Sequence, residues 1–156
     1  MDDLIQKIRE GFACFAHPGC VVVHPNGDCL DCPDVADVLG GANSESMINA
    51  EHIAFATIPL DCMTADAILH FLPAIAAQSL RPEGTTIAET VAWILGADEW
   101  DSDLTISQQI APKLSALQRE LILQYLVRLE SQVLSTHAQG QLAAAKVYWK
   151  SNREHA

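Results

Sequence analysis

Ser115-Ala116-Leu117-Gln118-Arg119-Glu120-Leu121-Ile122-Leu123-Gln124-Tyr125-Leu126-Val127-Arg128-Leu129 decides the fold class of this chain. Ser115 with Gln118 three residues later is a capping box, in which hydroxyl and amide satisfy N–H groups that a first helical turn leaves without partners. Leu117, Leu121, Ile122, Tyr125, Leu129 and Val133 then recur at three- and four-residue steps. One face of a helix over about residues 116–134 is therefore apolar. Gly140 is expected to break that helix, and residues 141–149 to form a terminal one. A helix with one apolar stripe must bury it against another element, so the pattern demands neighbours.

They lie upstream. Thr64 is positioned to cap a helix reaching about residue 80, with Ile68, Leu69, Leu72, Ile75 and Ala76 inward. Pro73 lacks the N–H that its turn needs, so it should kink or split this helix. Arg81-Pro82-Glu83-Gly84 is a break, and Thr86-Ile87-Ala88-Glu89 reads as a second capping box opening a helix to residue 95. At the N-terminus, Leu4, Ile5, Ile8, Phe12 and Phe15 give one apolar face over residues 2–15, stopped by His17-Pro18-Gly19. Val21-Val22-Val23 is β-branched and suits a short extended piece, and Pro25-Asn26-Gly27-Asp28 is a turn. Pro33 suits a first helical turn, followed by Val35, Val38 and Leu39 and ended by Gly40-Gly41. The expected fold is mainly α: one domain over residues 1–156, a helical bundle of about five or six helices, with at most one small β-element near residues 20–24.

Charge is distributed unevenly over that bundle. Residues 10–80 contain no lysine or arginine, yet carry nine carboxylates, all five cysteines and four of the six histidines. Residues 1–103 hold 17 acids against three bases, and residues 104–156 hold three acids against six bases. The resulting field attracts cations or a basic partner and repels phosphates, which argues against nucleic acid. The acidic start Met1-Asp2-Asp3 is unlike a secretory signal, no membrane span stands out, and the odd cysteine count suits reduced thiols; a cytoplasmic protein is expected.

The densest chemistry is His17-Pro18-Gly19-Cys20-Val21-Val22-Val23-His24 followed by Cys29-Leu30-Asp31-Cys32. Cys-x-x-Cys places two thiolates on one tight turn, and zinc takes four nitrogen or sulfur ligands in a tetrahedron. Cys20, His24, Cys29 and Cys32 are thus the candidate metal ligands and zinc the candidate cofactor; the plain alternative is unliganded cysteines leading into a helix. A thioredoxin-like redox use of Cys29 and Cys32 is disfavoured, because Asp28, Asp31 and Asp34 would raise the thiol pKa. Asp31, Asp34 and Asp37 recur on one side of a short helix, and Asp98, Glu99, Asp101 and Asp103 surround Trp100 on a loop. Either set suits a basic partner, the loop better, because an aromatic supplies buried area and the acids steer encounter. Phosphate-binding, nucleophile-elbow and His-Glu-x-x-His signatures are missing, so no catalytic residue is assigned.

Four stretches together resemble a family of uncharacterised bacterial proteins, a domain of unknown function, over residues 4–133. They are the N-terminal helix ending in aromatics, the element from Asp28 through Cys29 and Cys32 to Gly40, the helix Met63-Thr64 to Phe71-Leu72-Pro73-Ala74, and Leu114-Ser115 to Gln118. The resemblance implies organisation and no activity. The functional expectation is a non-enzymatic acidic binding protein, an immunity protein that neutralises a cationic bacterial toxin domain. The alternative is a zinc- or thiol-dependent protein, enzyme or sensor, centred on Cys29 and Cys32.

Overall fold

A computed structural model describes residues 2–51, 53–96 and 105–154. Among them the chain forms eight α-helices: α1 (Asp3–Phe12), α2 (Cys32–Leu39), α3 (Ser44–Ile48), α4 (Ala65–Ser79), α5 (Thr85–Ile94), α6 (Ile106–Ile110), α7 (Ala116–Leu129) and α8 (Thr136–Glu154). Three single 3-10 turns lie at Ala54–Ala56, Leu60–Cys62 and Ala111–Lys113. The mainly helical class is as expected, with more and shorter helices.

The centre of the molecule is α4. Thr64 caps it by accepting from the Ala67 N–H at 3.2 Å. Ile68, Leu69, Phe71, Ala74, Ile75 and Ala76 are wholly buried, because α1, α3, α5 and α6 all pack against this helix. Pro73 neither ends nor splits it: α4 runs on to Ser79. Burial on nearly every face outweighs the roughly 3 kcal/mol that an internal proline costs. Around α4, α1 also packs on α7, and α8 on α5 and α7. Trp149 of α8 is fully buried, and its indole donates to the Leu95 carbonyl at 3.0 Å.

The Ser115–Gln118 capping box forms with both of its hydrogen bonds. Three expectations fail. The helix it opens stops at Leu129, not near residue 134, leaving Val133 88% exposed; Leu117, on its first turn, is 66% exposed. Gly140 breaks nothing and lies inside α8, whose start is set by Ser135: its carbonyl accepts from Gln139 N–H and its hydroxyl from Ala138 N–H. Thr86 and Glu89 make no capping box either. The helix begins two residues earlier, at Thr85 behind Gly84, and the Glu89 carboxylate accepts from the Ser135 N–H at 2.7 Å, capping α8.

The β-element reduces to one antiparallel bridge, Val22 with Met63, flanked by Val23 N–H to the Cys62 carbonyl and Thr64 N–H to the Val21 carbonyl, both 2.9 Å. It ties the segment after α1 to the entrance of α4. The rest of this irregular stretch is held by side chains that bond its backbone. Gln78, fully buried, accepts from Phe55 N–H at 3.1 Å and donates to the Met47 carbonyl at 3.0 Å. Arg81 donates to the Ala50 and Ile48 carbonyls. His17 accepts from Gly19 N–H, so its other nitrogen donates to the Leu39 carbonyl. His70 donates to the Phe15 carbonyl at 2.8 Å and accepts from Ser44 N–H. It is a structural residue, as its place among α4's apolar neighbours suggests. Backbone that lacks a ladder of its own must find such partners when buried.

Candidate metal centre

Three sulfurs converge where these tethers meet. Cys29 follows the turn through Gly27, whose φ of +88° suits glycine. Cys32 opens α2 with Pro33 behind it. Cys62 ends the 3-10 turn Leu60–Cys62, and the Val22–Met63 bridge fixes it beside them. The sulfurs of Cys29, Cys32 and Cys62 all lie within 4.8 Å of one another. Cys29 and Cys62 are 3.7 Å apart. A tetrahedral zinc site with Zn–S bonds of about 2.3 Å has sulfurs about 3.8 Å apart along each edge, and the Cys29–Cys62 separation is compatible with one such edge.

The three thiols are shifted in opposite directions. Cys29 receives a hydrogen bond from the Cys32 thiol and from the backbone N–H groups of Asp31 and Cys32, and its pKa is held below the ordinary value. Cys32 is fully buried, and that burial pushes its thiol up, against a backbone N–H bond from His24. Burial, and then the two neighbouring thiols, push Cys62 up to about 12. No lysine or arginine lies between residues 10 and 80 to relieve a second or third thiolate. A divalent cation bound here would supply that charge and tie three points of irregular chain together. Donor type, spacing and missing counter-charge all fit zinc.

Only part of the expected ligand set meets here. Cys29 and Cys32 do. Cys20 does not belong to the group: it is exposed, and its thiol donates to the Val22 carbonyl at 3.4 Å. The His24 side chain is exposed and also outside the group, though both residues line a cavity of about 530 Å³ that Cys32 borders. Cys62 is the member of this thiol group that sequence reasoning missed. It lies 30 residues beyond Cys32 with no paired cysteine, and its one signal was its place before the Thr64 cap, where a short extended pairing with Val22 is feasible.

Asp31, at the N-cap of α2, and Asp34, in its first turn, stand exposed. Beside them Leu30 is 95% exposed. Asp98, Glu99, Trp100, Asp101 and Asp103, the acidic loop, lie outside the described residues, as does His52. A second cavity, about 600 Å³, is walled by α1, α3 and His70 and shares no lining residue with the thiols. Among the described residues no helix is long and apolar enough to cross a membrane. No family model, no curated protein and no solved structure matches this chain.

Proposed function

We propose that this protein is a thiolate metal-binding protein that holds zinc on Cys29, Cys32 and Cys62, the metal serving to fasten its irregular N-terminal region to the helical body. One observation carries this reading: three sulfurs from two segments 30 residues apart lie within 4.8 Å of one another, in a region without basic side chains. The experiment is elemental analysis of protein purified without added metal. Near-stoichiometric zinc is expected in the native chain, falling to background in Cys29→Ser/Cys32→Ser and in Cys62→Ser. A metal-free native protein with five titratable thiols overturns the reading.

A second reading, the acidic binding protein, is favoured by Leu30. A leucine 95% exposed between Asp28 and Asp31 and followed by Asp34 is an apolar contact inside a negative field. On this reading the metal shapes the turn that displays it, and the partner is a basic protein such as a cationic toxin domain. Reversal of Asp31 and Asp34 to lysine should slow association with such a domain by about tenfold or more at low salt. An unchanged on-rate, with Leu30→Ala equally silent, removes this face from consideration.

A further inference from the structure

We infer that His24 supplies the fourth ligand of the metal centre, closing it as a Cys3His site with no position left for a substrate. The inference rests on the metal reading above and deepens it. A structural zinc takes four protein ligands, whereas a site with three keeps a water or substrate in the fourth position. Which residue stands fourth therefore decides what kind of centre this is.

The main chain brings His24 to the sulfurs from two sides. Its own N–H bonds the Cys32 sulfur. The N–H of the preceding Val23 bonds the Cys62 carbonyl at 2.9 Å. His24 thus follows directly on the residue that stands opposite Cys62 across the Val22–Met63 bridge. Pro25 follows and disfavours helical angles at His24. The imidazole is exposed and borders the cavity that Cys32 also lines. Among the described residues its ring has no hydrogen-bond partner, so turning it toward the sulfurs breaks no existing bond.

The competitors are committed or chemically poorer. Both ring nitrogens of His17 and of His70 are engaged with backbone groups. The Cys20 thiol is bonded to the Val22 carbonyl and points its proton there. Asp61, beside Cys62, offers a hard carboxylate, a weaker complement to three thiolates and zinc than imidazole.

The test uses the full chain, stripped of metal and titrated with cobalt(II) as a spectroscopic probe. Thiolate-to-cobalt charge transfer counts the sulfurs, and the d–d bands report the geometry and the fourth donor. The native chain should bind one cobalt with tetrahedral bands. His24→Ala should keep three-thiolate charge transfer but bind cobalt at least about tenfold more weakly, with shifted d–d bands that added imidazole restores. His24→Cys should regain tight binding with a fourth increment of charge transfer. Asp61→Asn should match the native spectrum. A His24→Ala spectrum superimposable on the native one, or an Asp61→Asn spectrum that shifts instead, overturns the assignment while leaving the three-thiolate site standing. A native chain that takes up no cobalt overturns both.

Discussion

Residues 13–63 and residues 65–154 are built on different terms. The second stretch is a set of capped helices that bury apolar stripes on one another, and its fully buried side chains include Phe71, Tyr125 and Trp149. Among its described residues the first holds α2, α3, two single 3-10 turns and one bridge. Its backbone bonds are completed by His17, His70, Gln78 and Arg81, and its sulfurs gather without a disulfide. One part is stable through repeated helical packing, the other through a few specific tethers. Damage should therefore spread differently in each.

Metal removal should have the largest effect, and a local one. Structural zinc contributes about 10–16 kcal/mol in small metal-folded peptides, so even a fraction of that would dominate a loop region. Chelation should raise amide hydrogen exchange across residues 20–32 by more than about a hundredfold while α4 and α7 keep their protection. Equal loss in both regions would mean that the two parts are not separable in this way.

Trp149→Ala probes the other side. Removing a fully buried indole should cost about 3–5 kcal/mol in urea unfolding, chiefly through the cavity, since the Leu95 carbonyl loses one donor but keeps the Ser107 hydroxyl. Metal content should stay native. A loss of metal in this variant would show that the helical body sets the geometry of the thiols.

Gln78→Ala sits on the seam, since the residue belongs to α4 and serves the irregular stretch. It strands the Phe55 N–H, worth roughly 1–3 kcal/mol when buried and unpaired, and takes one donor from the Met47 carbonyl, which keeps the Ala50 N–H, so about 1–3 kcal/mol is expected. Limited proteolysis should cut first within residues 47–58. Cleavage elsewhere would remove Gln78 as the clamp.

This division also marks what the sequence reveals. In the helical part, periodicity and the hydroxyl caps Thr64 and Ser115 act over three or four residues, so a local pattern is enough to read them. α3 and α6, five residues each, are too short to show a period. Glu89 satisfies the capping-box pattern, but its partner is Ser135, 46 residues away, chosen by the packing of α5 on α8. The thiol group is legible only in part for the same reason. Cys29 and Cys32 share a turn, and the spacing displays it, whereas Cys62 joins them only because Val22 pairs with Met63. Tertiary closure of a long loop leaves little trace in local composition.

Glu89 makes that point in a small measurable form. Its carboxylate accepts from the backbone N–H and hydroxyl of Ser135 at the start of α8, and these bonds hold its pKa below the ordinary value of 4.5. A group whose pKa is lowered on folding contributes stability above its unfolded value and loses it as pH falls through the folded one. Because the carboxylate is only part-buried, solvent limits the contribution to about 0.5–1 kcal/mol. Glu89→Gln preserves shape and an acceptor oxygen and removes only the charge. Urea midpoints should therefore separate the variant from the native chain at pH 7 and converge as pH falls below the folded pKa. A gap that persists unchanged at low pH would assign the effect to side-chain packing and not to the charge at the helix start.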